Sequence, residues 1–115
     1  MTALIVDDEI DICELLSVML KKEGLQCKTF QSVAEGLDDL KDQQYDLAFL
    51  DLSLPDGSGI DLVKYINKNH PRTRIFMISA HDAVLDQQKA FDAGVEAFIS
   101  KPFTKSDILN TIKNV

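Results

Sequence analysis

Four ionisable side chains stand at or just beyond the ends of apolar runs in the sequence: Asp7, Asp8, Asp51 and Lys101. If such a run is a β-strand, the side chain at its end faces the loop that follows. A carboxylate there can act as a nucleophile or as a metal ligand. If the runs are neighbouring parallel strands, the acids and the lysine converge at one edge of a sheet, which predicts a charged, reactive site.

Three ionised carboxylates in one crevice require a counter-charge. Two unit charges about 4 Å apart repel by roughly 4 kcal/mol at an effective dielectric constant near 20. Oxygen ligands favour a hard divalent cation. An incomplete ligand set that leaves room for water and a phosphate oxygen suits Mg²⁺, with Mn²⁺ as the alternative. Lys101 is expected to supply the remaining positive charge.

The elements that must position these groups follow an alternation of short apolar runs with segments of helical period. This alternation predicts an α/β fold, a doubly wound five-stranded parallel sheet of the flavodoxin-like type with strand order 2-1-3-4-5. In that order strands one and three are neighbours at the point where the order reverses, and the acids meet there. The predicted strands are about Thr2–Val6, Gln26–Phe30, Asp46–Leu50, Arg74–Ile78 and Val95–Ile99.

Helical periodicity and capping signals predict a helix after each strand. The predicted segments are Glu9–Glu23, one that follows the capping box of Ser32 and Glu35, one from Gly59 that ends before Pro71, Asp82–Ala93, and one from Lys105. The residues expected to face the core are, helix by helix, Ile12, Leu15, Leu16, Met19 and Leu20; Val33, Leu37 and Leu40; Leu62, Val63 and Ile66; Val84, Leu85, Ala90 and Phe91; and Ile108, Leu109, Ile112 and Val115.

The fourth predicted helix has the weakest apolar face, because Asp86, Gln87, Gln88 and Lys89 interrupt it. A helix with little apolar area to bury is held weakly by packing. We therefore expect this helix to be the most easily displaced element of the fold.

Composition limits the class of protein. The 115 residues, 45% of them hydrophobic, are enough for one domain over 1–115. The formal charge of −7 argues against direct nucleic-acid binding by this domain. Without a long apolar run or a signal peptide, the chain is expected to be cytoplasmic and to have no membrane contact. Cys13 and Cys27 lack C-x-x-C spacing and are expected to be buried thiols.

The ordered set of motifs resembles the receiver domain of two-component response regulators over essentially the whole chain. The motifs are the acidic pair Asp7 and Asp8; Asp51 followed by Pro55 and Gly59; the pair Ser79 and Ala80; and the run from Phe98 to Phe103, which contains Lys101 and Pro102. Each motif alone is weak, since aspartates also cap helices and form turns. Together they occupy the strand ends at which the family places its site.

The resemblance implies that Asp51 is the phospho-acceptor. The phosphoryl group would come from the phosphohistidine of a sensor histidine kinase or from a small acyl phosphate. Asp8 would be the main metal ligand, aided by Asp7, by Asp51 and by the backbone carbonyl of Ser53, while Lys101 would pair with a phosphoryl oxygen. Such a domain is a signalling module rather than an enzyme, because it catalyses only its own phosphorylation and dephosphorylation.

The resemblance also implies a switch. Ser79 would hydrogen-bond the phosphoryl group, and Phe98 would move into the space left beside it. The movement would change a surface formed by helix four, strand five and helix five. That surface would contact a downstream effector domain or a target protein, or a second copy of the chain in a homodimer.

The resemblance has implications for three further positions. It implies a cis peptide bond before Pro102. Ser53 and His81 occupy places that modulate the lifetime of the phosphoryl group in the family. His81 is at least as compatible with an ordinary exposed loop histidine.

Two other functions use similar groups. A Mg²⁺-dependent phosphatase of the haloacid-dehalogenase type would carry Asp-x-Asp after its first strand, whereas this chain has the adjacent pair Asp7 and Asp8 and lacks an inserted cap. A receiver-like binding module that is never phosphorylated usually loses one of the acidic or lysine positions, and all are present here. Whether an effector domain follows Val115 stays open.

Overall fold

A computed structural model of the chain describes residues 1–113, and within them five parallel strands form one sheet. The sheet order is β2-β1-β3-β4-β5, which confirms the predicted order 2-1-3-4-5. The strands are β1 (Thr2–Val6), β2 (Gln26–Phe30), β3 (Leu47–Asp51), β4 (Arg74–Ser79) and β5 (Ala97–Ser100).

Five helices alternate with these strands in the described residues: α1 (Ile10–Lys22), α2 (Val33–Leu40), α3 (Gly59–Asn69), α4 (Val84–Ala93) and α5 (Lys105–Lys113). A short antiparallel ribbon, Ser53–Leu54 paired with Gly57–Ser58, lies between β3 and α3. We refer to residues 53–58 as the ribbon.

Side chains of the strands alternate between two apolar layers, because successive residues of a strand point to opposite faces. On one face, Leu4 and Leu50 pack with the buried residues of α2 and α3. On the other face, Ile5 and Phe49 pack with α1 and α5. Since both faces are covered, β3 is buried along its whole length, and its last residue is therefore held in a dry environment.

The predicted strands are correct in number and position, with small shifts at their ends. β3 covers Leu47–Asp51 instead of Asp46–Leu50, so Asp51 is the last residue of the strand and pairs with Ile78. β5 begins at Ala97 rather than Val95. The sequence at 95–96 is apolar enough to suggest a strand, and Val95 is buried, but the sheet ladder begins later.

The helix faces follow the prediction except in two places. In α1, Leu15 is 44% exposed and Cys13 is buried in its stead. In α4, which begins at Val84 rather than Asp82, three expected core residues are exposed: Val84, Leu85 and Phe91. Ile108 of α5 is buried, and the expectation for Val115 falls outside the described residues.

Both cysteines are free thiols, but the prediction that both are buried holds only for Cys13. Cys27 is half-buried on β2, because that strand lies at the edge of the sheet. Within residues 1–113 no helix has the length and hydropathy of a membrane span.

Candidate functional site

The predicted site residues meet at the carboxyl edge of the sheet. Val6 of β1 pairs with Leu50 of β3, so the residues that follow, Asp7 and Asp51, emerge side by side. On the other side of β3, Ile78 pairs with Asp51. The alternation of buried strands and crossover helices thus brings together acids that are 44 positions apart in the sequence.

The backbone around Asp51 is fixed by the start of α3. A Cβ atom on Gly59 would lie 2.0 Å from the carbonyl oxygen of Asp51, so only glycine permits this approach. The Gly59 N–H donates to the Leu52 carbonyl at 2.8 Å, and the Ser53 N–H donates to Asp51 Oδ1 at 3.2 Å. The start of α3 therefore fixes the backbone at Asp51, and the ribbon orients its carboxylate.

Lys101 is the cation of the site. Its Nζ lies 2.8 Å from Asp7 Oδ2, 3.2 Å from Asp51 Oδ2 and 3.3 Å from Glu9 Oε1. The Lys101–Pro102 peptide bond is cis, as the resemblance implied. A single ammonium group thus contacts three carboxylates, two of which, Asp7 and Asp51, are buried.

Burial perturbs the proton affinities of these groups. Removal from water, followed by the negative charge of Asp7, raises the pKa of Asp51 to about 6, and the attraction of Lys101 offsets this only in part. Burial disfavours the charged form of Lys101, but its contact with Asp7 and the charge of Asp51 outweigh that effect and raise the lysine pKa. The lysine stays cationic, and an added cation would favour the ionised Asp51.

The acidic residues suit a hard metal ion. One carboxylate oxygen from each of Asp7, Asp8 and Asp51 lies within 4.8 Å of the other two. Asp7 Oδ2 is buried and lies 2.8 Å from the Lys101 ammonium group. Asp8 is exposed at the rim. The buried carboxylates of Asp7 and Asp51, beside the exposed carboxylate of Asp8, offer the oxygen ligands that Mg²⁺ or Mn²⁺ prefers.

The remaining predicted residues lie on the β4 and β5 side. Ser79, the last residue of β4, is fully buried, and its Oγ accepts a hydrogen bond from the His81 N–H at 2.9 Å. His81 is exposed in the loop that leads to α4. Phe98 on β5 is half-buried against the apolar layer that contains α3. Ser79 therefore lies on the strand next to Asp51, and Phe98 lies on the strand beyond it.

Two acidic residues with contacts at or near the site were missed by the sequence reading. Glu9 contacts Lys101 at 3.3 Å, and its N–H donates to Asp7 Oδ1 at 2.9 Å. The run of three consecutive acids, 7–9, was the available signal. Asp56 of the ribbon accepts hydrogen bonds from the start of α2, and nothing in its local sequence indicates that contact.

The comparisons with known proteins agree with this geometry. Residues 3–113 match the family model described as the response regulator receiver domain. The response regulator protein PilR of Pseudomonas aeruginosa is 43% identical over 100 residues, which cover 87% of this chain and 22% of PilR. The chain therefore spans about a fifth of the length of that relative.

Two solved structures are similar over nearly the whole chain. The CheY-like response regulator receiver domain protein from Methanospirillum hungatei superposes with a TM-score of 0.92 at 29% identity, covering 98% of this chain and 90% of that one. The beryllofluoride-activated NtrC4 receiver domain dimer gives a TM-score of 0.91 at 33% identity, covering 98% and 93%.

Proposed function

The chain belongs to the response regulator receiver domain family, and from that premise we propose that it is a signal receiver switched by phosphorylation of Asp51. The observation that carries the proposal is the burial of Asp51 beside Asp7 and Lys101, with the exposed Asp8 at the opening. A candidate nucleophile, a cation and candidate metal ligands thus lie together at one edge of the sheet. Phosphoryl transfer depends on such positioning and charge stabilisation more than on acid-base chemistry.

In the proposed reaction a carboxylate oxygen of Asp51 attacks the phosphorus of a phosphohistidine on a sensor histidine kinase. A P–O bond forms, the P–N bond to the imidazole breaks, and the released nitrogen takes up a proton. A small acyl phosphate is the alternative donor. The Ser53 N–H, 3.2 Å from Asp51 Oδ1, fixes the orientation of the carboxylate, and Lys101 Nζ pairs with an oxygen of the transferred group.

Asp8, Asp7, Asp51 and the backbone carbonyl of Ser53 would hold Mg²⁺, or Mn²⁺ in its place. When bound, the ion neutralises negative charge that develops on the phosphoryl oxygens. Asp7 contributes a buried oxygen that also contacts Lys101, and Asp8 contributes an exposed one. The domain acts on its own aspartate and on no other substrate.

The output is a change in a binding surface. Ser79 turns its hydroxyl from the His81 N–H, 2.9 Å away, to the phosphoryl group, and Phe98 moves inward. Phosphorylation adds a charge of about −1.5 to −2 at pH 7, which Lys101, Ser79 and the metal recognise. Ser53 and His81 tune how long that group survives. The surface of α4, β5 and α5 changes in response.

A partner then reads that surface. PilR is several times longer than this chain, which supports an effector domain or a target protein as the partner. The NtrC4 receiver is described as a dimer in its activated form, which supports a homodimer through the same surface. With a formal charge of −7, this domain itself does not bind nucleic acid, and we place it in the cytoplasm.

Mass spectrometry of the intact protein tests the proposal, after incubation with acetyl phosphate with and without Mg²⁺. We expect one phosphoryl adduct that requires Mg²⁺ and disappears in Asp51→Asn. The matched control is Asp46→Asn, at the residue just before β3, where the carboxylate accepts a hydrogen bond from the Thr2 N–H; its adduct should persist. If the protein binds Mg²⁺ but forms no adduct, a phosphorylation-independent binding module is favoured. A phosphoryl adduct in Asp51→Asn would exclude Asp51 as the acceptor.

A further inference from the structure

Asp56 occupies the turn between the two strands of the ribbon, and its carboxylate reaches across to helix α2. Its Oδ1 accepts a hydrogen bond from the Val33 N–H at 2.8 Å, and its Oδ2 accepts one from the Ala34 N–H at 2.9 Å. The hydrogen bonds from Ala34 and Val33 hold the pKa of Asp56 below its ordinary value. The carboxylate is therefore ionised at neutral pH, and each oxygen holds one backbone N–H.

These contacts make Asp56 a remote cap of α2. The first N–H groups of a helix have no partner within the helix and need acceptors from outside it. Ser32 supplies a local acceptor, since its Oγ accepts from the Glu35 N–H at 3.1 Å. Asp56 supplies two more from a part of the chain over twenty residues away. The start of α2 is thus capped twice, once by its own sequence and once by the ribbon.

The same ribbon carries two groups of the functional site. The Ser53 N–H orients Asp51 Oδ1, and the Ser53 carbonyl is the backbone ligand of the proposed metal site. Ser53 pairs with Ser58, and Leu54 pairs with Gly57, so the two strands move together. A restraint at the turn between them therefore limits the movement of Ser53.

The other end of the restraint is firmly held. α2 buries Val33, Gly36 and Leu40 against the sheet and α3. A Cβ atom on Gly36 would lie 3.0 Å from a methyl group of Leu62, so α2 and α3 are closely packed. The Asp56 carboxylate consequently joins the site loop to a rigid part of the fold rather than to another loop.

We propose that Asp56 is a positioning residue that clamps the ribbon to α2 and thereby holds Ser53 where the metal and Asp51 need it. The inference rests on the proposed function, because it concerns the same site. Its physical claim, that the ribbon loses order without the Asp56 carboxylate, is independent of phosphoryl transfer. Asp56 does not touch the reacting atoms, and it acts through Ser53.

Two alanine variants separate this role from ordinary helix capping. Asp56→Ala removes the remote cap of α2, and Ser32→Ala removes the local cap without touching the ribbon. The readouts are the Mg²⁺ dissociation constant, from an NMR titration, and hydrogen exchange of the Ser53 amide in metal-free protein. Asp56→Asn, which keeps one uncharged acceptor oxygen, should fall between wild type and Asp56→Ala.

We expect Asp56→Ala to weaken Mg²⁺ binding about 3- to 10-fold, less than the roughly 10- to 100-fold typical of residues that bond directly to a metal ligand. Its Ser53 amide should exchange faster. Ser32→Ala should lower the melting temperature but leave both readouts as in wild type. The inference would be overturned if Mg²⁺ affinity and Ser53 exchange changed equally in both alanine variants, or if neither changed in Asp56→Ala.

The same proteins keep this test separate from that of the proposed function. A wild-type chain that forms no phosphoryl adduct would contradict the proposed function, whatever the Ser53 exchange rate. Unchanged Ser53 exchange in Asp56→Ala would contradict the clamp even if wild type is fully phosphorylated. Should Asp56→Ala fail to fold, Asp56→Asn provides both readouts against Ser32→Ala.

Discussion

Helices α3 and α4 pack on the same face of the sheet, but they are held there in different ways. α3 buries Leu62, Val63 and Ile66, and Ser58 Oγ accepts a hydrogen bond from the Ile60 N–H at 3.1 Å at its start. All residues of α4 lie in the described range, and Ala90 is the only one of them that is buried. No side-chain hydrogen bond caps the start of this helix. Val84 is 80% exposed and Leu85 is 71% exposed.

This difference separates a fixed side of the site from a movable one. The Asp51 carbonyl lies against Gly59 at the start of α3, so the backbone of the proposed nucleophile is anchored to a well-packed helix. Ser79 ends the strand that leads through an exposed loop into α4. A group that must keep its geometry during the reaction is thus attached to α3. The group expected to respond afterwards is attached to a helix that costs little to move.

The largest expected difference in stability is between matched leucine-to-alanine substitutions in α3 and in α4. Leu62→Ala should lower the free energy of unfolding by about 2–5 kcal/mol, because it opens a cavity in the core. Leu85→Ala should change it by less than about 0.5 kcal/mol, because that side chain is exposed. Urea denaturation followed by circular dichroism measures both values. Similar losses in the two variants would mean that α4 is packed as firmly as α3.

A second prediction concerns the free energy that the folded protein spends on keeping Asp51 ionised. The pKa of Asp51 rises from 3.8 to about 6 on folding, so the folded state binds the Asp51 proton more tightly than the unfolded state does. This contribution to stability is therefore present below pH 3.8 and is lost as the pH rises to about 6. Asp51→Asn should be more stable than wild type at neutral pH by up to about 3 kcal/mol.

The pH dependence of that difference provides the check. Melting curves of wild type and Asp51→Asn should converge at low pH and separate as the pH rises through 6. Saturating Mg²⁺ should shrink the gap at neutral pH, since the cation removes the cost of ionising Asp51. A wild type that is the more stable of the two at pH 7 without metal would show that Lys101 outweighs burial at this position.

The smallest expected effects come from removing the cap of α3 and adding a cap to α4. Ser58→Ala removes the cap of α3 and should cost about 1 kcal/mol of global stability. Ala83→Ser gives α4 the cap it lacks. Since we expect α4 to open locally, Ala83→Ser should slow hydrogen exchange in α4 and leave the urea midpoint nearly unchanged. A global gain as large as the Ser58→Ala loss would indicate that α4 unfolds only together with the rest of the fold.

The parts of the fold that were predictable are those set by local pattern. The apolar runs located all five strands of the sheet, and the capping box of Ser32 and Glu35 located the start of α2. The order of the sheet and the meeting of Asp7, Asp8 and Asp51 follow once the strands are parallel. Lys101 entered the site because it lies just beyond the last strand.

Other features depend on contacts that local pattern does not contain. Periodicity selects a candidate apolar face for a helix, but not whether a neighbour covers it, and so Leu85 and Phe91 were wrongly assigned to the core. The capping of α2 by Asp56 depends on the path of the ribbon turn. The raised pKa of Asp51 depends on burial and on Asp7 together, and neither is evident from a single aspartate in a sequence.

Hydrogen exchange measured by mass spectrometry, with and without acetyl phosphate and Mg²⁺, tests the division into fixed and movable sides most directly. In the unphosphorylated protein, α4 should exchange faster than α3. Phosphorylation should change exchange in α4 and β5 while leaving α3 as it was, and Asp51→Asn should show no change in any of them. Slower exchange in α4 than in α3, or a response in α3 as large as that in α4, would contradict the division.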